Sequence, residues 1–279
     1  MTVIFALASA LAYGCSDFIG GLTAKRLDVW TTAAFAQLVS LVVVLGPALL
    51  GEGTATTGDL AWGALAGVGS SSGTMFLYRG LARGRMSVVA PVSAVGSAVV
   101  PVAVGVLTGE RPELLVWIGV ACALPAIWLV SQAVTDIDTT FVSTRASVVD
   151  GLLAGAGFGL LFVALGQVPE RAGLQAVAMM QAVSAAILVA AAYVVGTGLH
   201  WRRDSVLGWA GAGILSAAAT VLFQLATQSG LLTIASVLTA LYPATTVLLA
   251  AAVLKEQIAG RQAVGLAMAA AAVALVAAG

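Results

Sequence analysis

Charge is what this chain has least of. Only 9% of its 279 residues are Asp, Glu, Lys or Arg, against roughly 25% in a soluble domain. Too few charged groups remain to clothe a water-facing surface, so lipid must be the main solvent. The net charge is zero, with no basic block and no aromatic-basic interleaving, which argues against a nucleic-acid partner. Histidine is almost missing, with His200 alone, and the two cysteines, Cys15 and Cys122, fall in different hydrophobic stretches without a CxxC pair. A structural metal, a disulfide framework, haem ligation and a His-dependent triad therefore lack their parts. No cofactor and no enzymatic activity are expected. A phosphate-binding G-x-x-x-x-G-K-[ST] loop is also absent, and the connections are too short for a nucleotide domain, which argues against ATP drive. Period-two alternation is missing, so a membrane barrel is not credible. The N-terminus has no basic segment and no clear cleavage site, and its apolar run reads as a retained helix rather than a removed signal.

What the chain has in abundance is apolar length. It is 61% hydrophobic, with a mean hydropathy of +1.07. A helix needs about 20 apolar residues to cross the hydrocarbon core, and charges and turn residues cut the chain into ten such pieces, near 2–23, 30–50, 59–82, 86–108, 114–132, 147–167, 172–196, 205–228, 231–254 and 260–278. The longest gap is central, which divides the chain into a first five-helix unit (1–132), a linker (133–146) and a second five-helix unit (147–279). Small residues at four-residue spacing, Gly151-Gly155-Gly159 and Gly63-Gly67, read as packing ridges where helix backbones approach closely.

The halves match. A slide of 146 residues lays Glu110 on Glu256, Gly119 on Gly265, Gly84 on Gly230, Gly67 on Gly213, and Leu129-Val130 on Leu275-Val276; a slide of 144 lays Gln37 on Gln181 and Ser40 on Ser184. Because each repeat has an odd number of spans, the second starts from the opposite membrane face. The expected fold is an all-α polytopic membrane protein of ten transmembrane helices in two inverted five-helix repeats. Such repeats mark secondary transporters that bind substrate near the midplane between the halves.

The repeat also pairs two polar stripes. Ser70, Thr74 and Tyr78 stand at i, i+4 and i+8 in span three, and the slide places Ser216, Thr220 and Gln224 beneath them in span eight. Each set lies on one face of a helix. Hydroxyls that only bond their own i−4 carbonyls would explain single positions; register-matched stripes in both halves point to a shared cavity. Arg79 follows Tyr78 but has Leu225 as its counterpart, and Asp17 in span one has no acidic counterpart either. Ionisable residues at membrane depth are functional candidates by default. Both charges approach the same face at similar depth, so an Asp17–Arg79 pair is expected, with Arg79 as a carboxylate site, Asp17 as a proton site, or the pair as a gate. Gln37 and Gln181 read as helix-to-helix hydrogen bonds. Asp150, Glu110 and Glu256 read as capping or interfacial residues, and Tyr242-Pro243, Pro91 and Pro101 as kink sites.

Three segments carry a resemblance: LAYGCSDFIGG in span one, APVSAVGSAVVPVAVGVLTGER in span four and LTALYPATTVLLAAAVLKE in span nine. With the ten-span layout they resemble the EamA-type drug/metabolite transporters over essentially the whole chain. The second repeat departs from the pattern, with Lys255-Glu256-Gln257 where the first has Gly109-Glu110-Arg111. The resemblance implies a multi-pass carrier in a cell membrane, with a bacterial plasma membrane the first expectation. It also implies a small polar substrate such as an amino acid, often exported, and a central cavity that would include Tyr13, Asp17, Tyr242 and both stripes. The expected partners are the solute, the bilayer and, if flux is coupled, protons; one chain suffices for the pathway, so a monomer is expected. A lipid-linked sugar flippase on the same fold and a non-transporting sensor or scaffold are the alternative readings. Ten basic residues (Lys25, Arg26, Arg79, Arg83, Arg85, Arg145, Arg202, Arg203, Lys255, Arg261) cluster at odd-numbered connections, against Arg111 and Arg171 at even ones. The positive-inside rule then puts both termini outside, whereas the resemblance implies both in the cytoplasm.

Overall fold

The computed structural model describes residues 1–24, 28–83, 86–132 and 144–279. Most of the linker and the basic residues Lys25, Arg26 and Arg85 lie outside the described residues. The described residues are mostly helical: α1 (Thr2–Ala24), α2 (Val29–Leu50), α3 (Thr57–Arg83), α4 (Met86–Leu107), α5 (Leu114–Val130), α6 (Thr144–Gly166), α7 (Gln175–Val194), α8 (Val206–Gln228), α9 (Leu232–Thr239), α10 (Tyr242–Leu254) and α11 (Gly260–Ala278). Asp28 starts α2 by accepting the Thr31 amide at 2.8 Å, a side-chain cap of the usual kind.

Span nine, expected as one kinked helix, is instead broken into α9 and α10. Pro243 has no N–H to offer a preceding turn. The chain closes α9 with the Ala240 amide on Ser236 (2.9 Å) and the Leu241 amide on Leu238 (3.2 Å), then restarts. Eight helical stretches among the described residues are long and apolar enough to span a bilayer, counting α9 and α10 together. Helix α5 is shorter, at 17 residues. Helix α3 has the length, at 27 residues, but its serines and Arg79 dilute the apolar run. It packs on α6 and α7, so protein rather than lipid receives its polar side.

The two halves clasp each other through mirrored contacts. Helix α1 packs on α8 as α6 packs on α3, and α5 packs on α11. The glycines show the symmetry residue by residue. A methyl added at Gly119 would lie 2.5 Å from Val276, and one at Gly265 would lie 2.8 Å from Val130; the sequence slide exchanges these two contacts. Gly67 meets Val183 at 2.8 Å as Gly213 meets Val39 at 2.6 Å. The Gly151 ridge is a packing surface for α4: Gly151 faces Val92, Gly155 faces Gly96, and Gly159 faces Val100. Between helices in lipid, close backbone approach and hydrogen bonds replace the hydrophobic drive. The buried Ser9 and Ser16 hydroxyls supply two such bonds, donating to Ala219 and Ala212 of α8 at 2.8 Å each.

Candidate functional site

Where the inner faces of α1, α3, α4, α6, α8 and α10 converge they leave a cavity of about 150 Å³, touched also by α2 and α7. Tyr13, Asp17, Ser70, Thr74, Tyr78, Ser216, Thr220 and Tyr242 line it. Both polar stripes thus reach one space from opposite halves, as their register requires. Ser16, Gln37, Ser97, Phe158, Phe162 and Met180 complete much of the wall. The aromatic part of that wall is connected: Tyr13 meets Tyr242 (centroids 6.3 Å) and Phe162 edge-on (6.4 Å), and Phe162 meets Phe223 at 4.5 Å. The Tyr13 hydroxyl is buried without a hydrogen-bond partner.

The threonines of the stripes do back-bond. Thr74 donates to the Ser70 carbonyl at 2.9 Å, and Thr220 to the Ala217 carbonyl at 2.9 Å. Ser97 does the same to Ala94 at 2.8 Å. Their hydrogens point into the helices, and oxygen lone pairs are what they offer the cavity. At the seam behind this wall, Gln37 hydrogen-bonds to Gln181, whose amide nitrogen also reaches Ser40 (2.7 Å) and Thr220 (3.2 Å). Gln181 is fully buried and holds the halves together, as expected; Gln37 belongs to both the seam and the wall.

Two candidates lie elsewhere. Arg79 does not pair with Asp17. Its Nε donates to Asp150 at 3.0 Å, its Nη2 bonds the same oxygen, and its guanidinium sits 4.7 Å above the Phe76 ring. The reason is helix adjacency. Depth alone brings Asp17 and Arg79 level, but α1 packs on α8, α9 and α10 while α3 packs on α6 and α7. Gly80 lets α6 come close enough to set Asp150 beside Arg79. Asp150 is therefore a buried ion-pair partner rather than an interfacial cap. Gln224, expected in the wall, turns to the N-terminal membrane face and donates to the Gly173 carbonyl at 2.9 Å. Asp17 is left exposed to the cavity, with no ion pair among the described residues. No cluster of potential metal ligands occurs among the described residues.

Sequence reasoning did not find Ser97, Phe158, Phe162 or Met180. The aromatics carried no signal apart from core; Ser97 sits between Pro91 and Pro101 in α4, and that pair of prolines was the available hint.

The same face as the N-terminus carries several ties between the halves. Arg171 bridges to Asp59, Gln175 donates to the Gly53 carbonyl at 2.7 Å, and Glu110 accepts the Leu232 and Thr233 amides at 2.6 and 3.0 Å. Glu110 thereby caps α9, whose own N-cap residue Leu231 has no side-chain hydrogen bond to give. A carboxylate on free N–H groups at a helix start is favoured by hydrogen bonding and the helix dipole together.

The sequence profile of the EamA-like transporter family matches residues 1–132 and 147–278. None of the curated proteins matches. Among solved structures, a crystal structure of a protein superposes with a TM-score of 0.78 at 15% identity, covering 99% of this chain and 96% of that one; at that identity the likeness concerns the fold.

Proposed function

The chain belongs to the EamA-like transporter family, and from that premise we propose that it is a secondary carrier exporting a small polar metabolite by alternating access between its inverted halves. The observation that carries this reading is a cavity at the seam of two repeats whose equivalent carboxylates, Glu110 and Glu256, are used unequally. On the N-terminal face Glu110 caps α9. Its repeat counterpart Glu256, on the other face, is exposed, and its carboxylate has no hydrogen bond or ion pair among the described residues. The residue before it, Lys255, is left-handed (φ 60°), and α10, which leads to it, has no buried residue, whereas α9 is buried almost throughout. The mirror of the Glu110 contact would be Glu256 accepting the Met86 and Ser87 amides at the start of α4. Alternating access is the exchange of these two caps, one face opening as the other shuts.

Asp17, the carboxylate in the cavity, is the group through which a proton gradient would couple to flux. The test is transport by purified protein in proteoliposomes against a panel of labelled solutes, with and without a pH gradient. Saturable solute flux supports the carrier; no flux for any solute together with lipid scrambling turns the reading over to a flippase.

A further inference from the structure

Resting on the carrier reading, we propose that the solute is an organic monocation, a protonated amine with an apolar or aromatic part, held against Asp17, and not an anion or a zwitterion. Three independent features of the wall agree on this.

The first is charge. Among the described residues Asp17 is the only charged one lining the cavity, and the arginine that would have held a carboxylate is bonded to Asp150 outside it. An anion would face a like charge with no cation to relieve it, and a zwitterion would leave its carboxylate unpaired in a poorly solvated space. The second is hydrogen-bond polarity. Ser16, Ser97, Thr74 and Thr220 all donate to backbone carbonyls. These four offer the cavity lone pairs, which suit the N–H groups of a protonated amine, while the Ser70, Ser216 and tyrosine hydroxyls of the same wall can donate to a polar group elsewhere on the solute. The third is the aromatic lining. The faces of aromatic rings are negative and attract cations, most strongly where water is excluded, and Tyr13, Tyr78, Tyr242, Phe158 and Phe162 gather around the same space. Tyr13 adds a hydroxyl that is buried and lacks a partner.

Four probes that share a benzyl group separate the classes: phenethylamine as cation, 2-phenylethanol as neutral, phenylacetate as anion and phenylalanine as zwitterion. Binding to the purified full-length protein is measured by calorimetry, and flux by counterflow in proteoliposomes. The expected result is that phenethylamine binds in preference to the other three. Asp17→Asn weakens it by about tenfold or more, the loss of one charge-assisted contact, while Asp17→Glu retains most of the affinity. Preference for phenylacetate or phenylalanine, binding of none of the four, or unchanged phenethylamine affinity in a folded Asp17→Asn protein overturns the proposal. The two readings fail separately: flux of an anion or zwitterion alone removes the cation class and leaves the carrier, whereas cation binding through Asp17 without flux of any solute removes the carrier and leaves the site.

Discussion

Gln37 and Gln181, 144 positions apart and superimposed by the repeat, hydrogen-bond to each other at the seam between the two halves. Each is the other's symmetry mate, so the pseudo-twofold axis passes between them. Replacing Gln181 by Leu removes three contacts from a fully buried amide. It should lower stability by about 1–2 kcal/mol, since hydrogen bonds between membrane helices average well below those numbers singly. Gln37→Leu should cost less, and the double variant less than the sum. Thermal unfolding of the purified protein reads all three; strict additivity would count against the bond.

Arg79→Gln should destabilise and leave transport per folded molecule largely intact, because Arg79 lies outside the cavity wall. It leaves the Asp150 carboxylate, with 11% of its side chain exposed, without its partner. The arginine side chain is 43% exposed, so the loss belongs nearer to about 1–2 kcal/mol than to the larger figure for a fully buried pair. The charge reversal Arg79→Asp with Asp150→Arg should recover part of it. Transport lost at full stability would return Arg79 to the site.

Gly155 is where α4 and α6 touch backbone to backbone, a methyl there lying 2.9 Å from the Gly96 Cα. Gly155→Val should abolish the monodisperse folded protein on gel filtration, whereas Gly21→Ala, with open space around it, should leave the elution profile unchanged.

Glu110→Gln and Glu256→Gln should shift the carrier in opposite directions. A cysteine placed at Ser70 in a background without Cys15 and Cys122 reports which face reaches the cavity, through labelling by a thiol reagent that cannot cross the membrane. Glu110→Gln should raise labelling from the N-terminal face by about tenfold, the population change expected from weakening a charge-assisted cap, and Glu256→Gln should lower it. A shift of both variants in one direction would sink the exchange of caps.

A reporter fused after Gly279 should be read outside the cell, because ten of the twelve basic residues fall in the sequence at odd-numbered connections, which the positive-inside rule holds in the cytoplasm. A reporter active only in the cytoplasm would show that the charge bias is overridden here.

Much of this architecture was legible because lipid imposes a length on helices and the repeat imposes a register on residues. Nine spans follow the apolar runs closely, and the pairings of Ser70 with Ser216 and Thr74 with Thr220 led straight to the cavity. What the sequence hid was lateral adjacency. Asp17 and Arg79 share a depth, but depth does not say which helices touch, and Asp150 on α6 takes the arginine. Glu110 read as a cap but not as the cap of a helix 122 positions away, since nothing local announces a partner across the fold. Gln224 showed the limit of the stripe: its long side chain turned aside to Gly173 while the shorter members stayed.

The mirrored contacts of Gly119 with Val276 and Gly265 with Val130 are those of a twofold homodimer, in which residue i meets j and j meets i. Covalent connection of the halves lets them differ. Two identical subunits could not keep a carboxylate at Asp17 in one half without an acid in the other, nor an arginine opposite Leu225. Joined in one chain, each position is free to be chosen once, and the cavity is a pocket with a charged head and an uncharged tail.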